Sequence, residues 1–197
     1  MKKTAFIKTI AYQAILCMIA LAIFAGTAYA EDTSAADDSG IEIAFTYQRG
    51  TTIASNQLAV WVEDEEGSVV KTLLVTDFTA GRRGYRNRDM SLPVWVASAD
   101  PESMTDQEID ALSAATPRPG ELIYVWDFTD EAGKKVPDGI YTIHIEGTFY
   151  WESEVLYTAV IDTAQLAEEI EVEMERTAPD THENENMITN VNVSIIR

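Results

Sequence analysis

ELIYVWDFTDEAGKKVPDGIYTIHIEGTFY, residues 121–150, sets the reading of the chain. Glu121 to Phe128 is rich in aromatic and branched residues and reads as a strand. Thr129 to Gly133 turns, and Val136-Pro137-Asp138-Gly139 turns again. Ile140 to Tyr150 then runs on as a longer strand. Successive side chains alternate across a pleated strand, so Tyr141, Ile143 and Ile145 share one face. The intervening His144 reads as a surface residue. Asp127 and Asp130 are placed to accept backbone N–H groups of the turn, with Trp126 and Tyr141 closing a core beneath it. A calcium site from Asp127, Asp130 and Glu131 is the competing reading, but the stretch lacks the alternating run of oxygen ligands that such loops use.

The same alternation extends in both directions. Ile41 to Tyr47 (IEIAFTY) reads as a first strand. Leu58 to Val62 (LAVWV) and Val69 to Val75 (VVKTLLV) flank Glu63 to Ser68 (EDEEGS) as a hairpin, with Gly67 free to take a positive φ. Val155 to Ile161, Glu169 to Met174 and Met187 to Ile196 follow as strands. Leu92 to Val96 (LPVWV) is short and apolar. Thr105-Asp106-Gln107-Glu108 matches a capping box, so a short helix is expected to about Leu112, ended by Pro117 and Pro119. About eight short strands separated by turn signals predict an all-β antiparallel sandwich with one short helix in a long insertion, a single domain over residues 41–197.

The first thirty residues are expected to be a cleavable signal peptide. Lys2, Lys3 and Lys8 precede an apolar run from Ala14 to Ala25, too short for a membrane span of about 20 residues. Ala28-Tyr29-Ala30 offers small residues at the cleavage positions. An uncleaved anchor is the alternative, and Leu16 before Cys17 argues against lipidation there. Residues 31–40 (EDTSAADDSG) read as a disordered acidic leader. After cleavage no membrane span is expected, and the protein is placed outside the cytoplasm, in the periplasm, with the outer cell surface as the alternative.

Composition narrows the function. The whole chain has 14 basic and 33 acidic residues; three of the lysines lie in the first thirty, which hold no acid, so the remaining 167 residues carry −22. Such a field repels nucleic acid. No cysteine remains after Cys17, which removes thiol nucleophiles, iron–sulfur ligation and haem attachment. His144 and His182, the only histidines, are far apart. Any redox chemistry therefore needs an organic cofactor. The one basic patch, Arg82, Arg83, Arg86 and Arg88, is either a solvated loop offsetting neighbouring acids or a clamp for phosphate, which guanidinium forks suit.

Two resemblances add to this. Trp126 through Tyr141 resembles the turn-and-strand signature of the immunoglobulin-like domain of flagellar hook-capping proteins, which implies an immunoglobulin-like sandwich; that pattern usually runs Trp-Asp-Gly, and Phe128 departs from it. Asp110-Ala111-Leu112-Ser113-Ala114-Ala115-Thr116 resembles the acceptor motif for covalent flavinylation, Asp-x-x-(Ser/Thr)-(Gly/Ala/Ser)-Ala-(Thr/Ser). An ordinary helix end, with Ser113 and Thr116 bonding local carbonyls, is the plain alternative. In the resembling reaction an exported FMN transferase cleaves FAD and joins the FMN phosphate to the last hydroxyl. The resemblance implies FMN on Thr116, with Asp110, Ser113 and Ala115 read by the transferase. It also implies an exposed segment between the helix end and Pro117.

The order of segments resembles the exported domain of unknown function 2271. The matching features are Leu58 to Asp64 with its Gly67 turn, Val70 to Leu73, a basic stretch ending at Trp95, Ser113 to Gly120, and Trp126 to Tyr141. Members of that family look like partners of flavinylation systems in extracytosolic electron transfer. The resemblance implies an electron-transfer flavoprotein with covalent FMN and no substrate turnover of its own. A membrane or periplasmic redox partner goes with it. Arg82 and Arg83 would neutralise the phosphate; Trp95, Tyr124 and Trp126 are candidates to shield the ring. The competing reading is a cofactor-free structural or binding module of the cell envelope. A hydrolase is disfavoured, because the chain has no Gly-x-Ser-x-Gly and neither histidine has a nucleophile in a recognisable motif.

Overall fold

Alternation along β1 (Gly40–Tyr47) buries Ile41, Ile43, Phe45 and Tyr47 completely or almost so, which makes it the middle strand of a sheet. The computed structural model describes residues 39–49, 56–81, 84–150, 153–177 and 186–197. After β1 come β2 (Gln57–Glu63), β3 (Val69–Thr76), α1 (Asp77–Ala80), α2 (Pro93–Ala99) and α3 (Asp106–Leu112). They are followed by β4 (Ser113–Ala114), β5 (Gly120–Trp126), β6 (Ile140–Tyr150), β7 (Ser153–Asp162), β8 (Glu173–Thr177) and β9 (Ile188–Ile196). The expected signal peptide and most of the acidic leader lie outside the described residues; Gly40 already belongs to β1.

Two sheets form the sandwich. One has the order β5-β1-β9; the other has the order β4-β3-β2-β6-β7-β8. All pairings are antiparallel except β3 with β4. Between the sheets lies one apolar layer, including Ile43, Phe45, Val60, Val62, Trp126, Ile143, Ile145, Tyr157 and Ile161. The all-β sandwich agrees with the sequence reading. The insertion is richer in helix than expected, with three short helices instead of one. A parallel strand pair needs a long crossover, and α1, α2 and α3 are the crossover from β3 to β4. The expected strand over Glu169 to Met174 begins only at Glu173, and every residue of β8 is exposed.

The helices create a second core on the outer face of the larger sheet. Ala59, Trp61 and Val75 meet Ala80, Leu92, Trp95, Ala99 and Ile109 there. β2 is therefore buried on both faces, which its unbroken apolar run Leu58 to Val62 allows. It also overturns the surface placement of His144: the residue is only 8 % exposed, because the cover extends over that face.

The turn after β5 forms as the aspartates suggest. Asp127 Oδ1 accepts from the Thr129 N–H at 3.2 Å and from Lys71 Nζ at 2.9 Å, and Asp130 Oδ1 accepts from Ala132 and Lys134 N–H at 2.9 Å each. Partial burial works against ionising Asp127, but the Thr129 hydroxyl and Lys71 outweigh it and hold the carboxyl below its ordinary range. Trp126 and Tyr141 rings lie 5.0 Å apart, and the Tyr141 hydroxyl donates back to the Pro137 carbonyl at 2.8 Å. Phe128 has φ 57°, a conformation that favours glycine, the residue usual at this place in the resembling pattern. Its ring is buried edge-on against Trp126 at 5.1 Å, which offsets the strain. Phe128→Ala should lose about 3 kcal/mol, since it forfeits the ring and keeps the strain. Phe128→Gly should lose about 1 kcal/mol less, because only glycine relieves the left-handed backbone. Urea unfolding of the two variants checks this order.

Candidate functional site

The segment Asp110 to Thr116 is held through α3 and β4 and open at its C-terminal end. α3 starts on a complete capping box: Thr105 Oγ1 accepts from the Glu108 N–H at 3.3 Å, and Glu108 Oε2 accepts from the Thr105 N–H at 2.7 Å. The Thr105 N–H first, and then the Thr105 hydroxyl, which also donates to Glu108 Oε2 at 2.7 Å, hold the Glu108 carboxyl below its ordinary range. Ile109 anchors the helix in the outer core, while Asp110 and Ala111 face solvent. The helix ends at Leu112, and Ser113 turns to extended backbone, φ −85° and ψ 144°. Ser113 and Ala114 then lie parallel to the end of β3, opposite Val75 and Thr76. Ser113 is half-buried; Ala114, Ala115 and Thr116 are exposed. The Thr116 hydroxyl makes no hydrogen bond among the described residues, so the local carbonyl bonding of an ordinary helix end is not seen there. Pro117 and Pro119 follow before β5.

Beside this segment stands α1, which packs against β4 and α3. A buried polar network fixes it. The hydroxyls of Thr76 and Thr79 both donate to Gln57 Oε1, the second at 3.0 Å, and Thr79 Oγ1 meets Ser91 Oγ at 2.7 Å. All four side chains are at least 99 % buried, so each bond satisfies a group that water cannot reach. The Gly81 N–H donates to the Asp77 carbonyl at 2.8 Å, and the Gly84 N–H to the Gly81 carbonyl at 2.9 Å. The chain thus doubles back onto α1. Phe78, on this helix, is 44 % exposed.

Of the basic patch, Arg82 and Arg83 lie outside the described residues. Arg86 sits 3.6 Å from Glu102, bonds the Tyr85 hydroxyl at 3.2 Å and lies over the Tyr85 ring, which is the acid-offsetting role weighed for the patch. Arg88 is half-buried, and its surroundings lower its pKa through desolvation. The aromatic residues expected to shield a ring are differently placed. Trp95 and Trp126 are fully buried in the two cores, and Tyr124 is half-buried, stacked on Phe45 at 6.1 Å. The aromatic side chain that sequence reasoning missed is Phe78. Its position, directly after a strand and before Gly81, is the signal that could have found it.

A groove lies elsewhere on the described residues. About 580 Å³ in volume, it is lined by Asp64, Glu65, Glu66, Asp130, Glu131 and Asp138 at the β2–β3 turn. That is the opposite end of β3 from Thr116, roughly 20 Å away along a strand of this length. Asp64 is engaged in its own turn with the Glu66 and Ser68 N–H groups, as Asp130 is in its turn, and the charge of the lining opposes an anionic ligand. Among the described residues no cluster of acids and histidines suits a metal ion.

Two further ionisable clusters lie on the outer face of the larger sheet. Glu63 Oε1 accepts from Trp61 Nε1 at 2.7 Å, and Glu63 Oε2 lies 3.2 Å from His144 Nε2. The His144 approach is close but poorly aligned, and neither ring nitrogen has a true hydrogen-bond partner. Burial lowers the His144 pKa despite Glu63, and the ring stacks on Trp61 at 4.7 Å. The second cluster is Glu146 with Glu154. Glu146 is fully buried and accepts from the N–H groups of Val94 at 3.1 Å and Trp95 at 2.8 Å, which open α2. Burial pushes its carboxyl up to about 8, with the backbone bonds working against that rise.

Compared with known proteins, residues 40–178 match the family model described as "Predicted periplasmic protein (DUF2271)". No curated protein and no solved structure matches the chain. No helix among the described residues is long and apolar enough to cross a membrane.

Proposed function

Since the chain belongs to the DUF2271 family of predicted periplasmic proteins, we propose that it is an exported flavoprotein carrying FMN on Thr116 and relaying electrons without a substrate of its own. The observation that carries this reading is the presentation of the acceptor motif. Its terminal hydroxyl is exposed and makes no hydrogen bond among the described residues, two residues beyond β4 and directly before Pro117. A transferase must close over this segment. The small Ala114 and Ala115 leave room for that, and Asp110 on the open face of α3 gives it a charge to read.

The attachment balances as a phosphoryl-group transfer. The Thr116 Oγ–phosphorus bond forms, a phosphorus–oxygen bond of the FAD diphosphate breaks, and AMP leaves. The hydroxyl proton passes to a base of the FMN transferase, since threonine is a poor nucleophile at its own pKa. The bound cofactor would supply the redox chemistry, and the protein supplies position and surroundings. The sandwich is the base; Arg82 and Arg83 bring positive charge to a chain that is otherwise acidic. A membrane or periplasmic redox protein completes the relay.

Co-expression with an exported FMN transferase tests the reading. A fluorescent band should survive denaturing electrophoresis, disappear in Thr116→Val and weaken in Asp110→Ala. Colourless protein beside an active transferase sinks the proposal. That outcome would favour a cofactor-free envelope module, for which the acidic groove at the other end of β3 offers a surface for a basic partner.

A further inference from the structure

We infer that Phe78 is the platform on which the flavin ring rests, a positioning role that depends on the attachment at Thr116 proposed above. The register of the parallel pair carries the inference. Val75 lies opposite Ser113 and Thr76 opposite Ala114. Phe78 stands two residues beyond Thr76, and Thr116 two residues beyond Ala114. Paired strands run about 4.8 Å apart, so both chains leave the sheet at the same end, side by side. α1 stays against β4 after that point. A ribityl chain spans such a gap easily.

Phe78 is the one aromatic ring among the exposed large apolar side chains of the described residues. Single exposed apolar residues are common on protein surfaces and usually mean nothing. This one differs in how its backbone is held. Thr79, the next residue, is locked into the buried network with Gln57 and Ser91. A Cβ on Gly84 would lie 1.7 Å from the Phe78 carbonyl oxygen, so the returning chain touches the Phe78 backbone directly. The ring is thus solvent-exposed on a fixed mount. A flat aromatic cofactor gains by stacking on such a ring, which covers one face from water and limits its swing. Trp95 and Trp126 cannot take this role, being fully buried.

The experiment uses the full chain, flavinylated by co-expression and isolated after export, as wild type, Phe78→Trp and Phe78→Leu. Flavin attachment is read on a denaturing gel. Ring position is read on the native protein from the fluorescence lifetime and the visible circular dichroism of the flavin bands. An indole in contact with the ring quenches its emission, so Phe78→Trp should shorten the lifetime severalfold, and unfolding should restore it. Phe78→Leu should keep the covalent band and lose most of the induced dichroism. Equal bands with lifetime and dichroism unchanged in both variants overturn the platform while leaving Thr116 as the acceptor. Absence of a band in the wild type overturns the attachment, and the platform with it.

Discussion

Raising the pH from 6.5 to 8 should cost the folded protein about 2 kcal/mol, and Glu146→Gln should abolish most of that loss. Leu92, the residue that should cap α2, has no side-chain oxygen and sits at φ 52°. The Glu146 carboxyl replaces it from β6, receiving the N–H groups of Val94 and Trp95. Glu146 is buried beside Glu154, and both carboxyls are raised above their ordinary values, burial being the main cause. Glu175, on β8, adds to the rise at Glu154. A carboxyl near 8 in the folded state keeps a proton that the unfolded chain has already released. Stability therefore falls as pH climbs from about 4.5 to about 8, and levels off above that. His144 acts oppositely: its lowered folded pKa means that stability rises with pH up to about 6.5, its unfolded value. The range from 6.5 to 8 escapes that opposing slope. Chemical denaturation at several pH values, wild type against Glu146→Gln, gives the difference directly. Parallel curves would mean that Glu146 is ionised at neutral pH.

Gly84→Ala should lower stability by at least about 3 kcal/mol, a fall of roughly 6–12 °C in melting temperature. Its added methyl would lie 1.7 Å from the Phe78 carbonyl oxygen and 2.5 Å from the Thr79 Cα. Both obstacles are backbone, and the second belongs to a residue fixed by the buried Gln57 network, so neither yields cheaply. Gly133→Ala provides the contrast. Gly133 has φ 75° but nothing within 4 Å of an added methyl, so it should lose only about 1 kcal/mol. Differential scanning calorimetry separates the two. Equal shifts would show that the loop after α1 gives way.

The sandwich was legible because its strands alternate cleanly. Ile41 to Tyr47 and Tyr141 to Ile145 announce their buried faces by spacing alone, and Asp127, Asp130 and Pro137-Asp138-Gly139 announce the turn. The capping box at Thr105 and Glu108 marked α3 for the same local reason. What stayed hidden depends on partners distant in sequence. α1 and α2 are too short for a helical period to emerge, and α2 borrows its cap from Glu146. In an alternating strand His144 and Glu146 look like the wet face; only the folded crossover covers them. β4 has just two residues, so no pattern reveals it. The proposed acceptor motif was visible as residue types, but the proposed role of Phe78 was not, because it depends on the register of β3 with β4.

The pairing of β1 with β9 bears on how the chain leaves the cytoplasm. Gly40 lies opposite Ile196, so one of the earliest described residues meets one of the last. Closing that contact carries the loop-entropy cost of nearly the whole domain, and the smaller sheet cannot be completed until the final strand is available. A polypeptide threaded through a translocation channel from its N-terminus would therefore emerge without a finished β1. The smaller sheet then closes last, once β9 has joined β1.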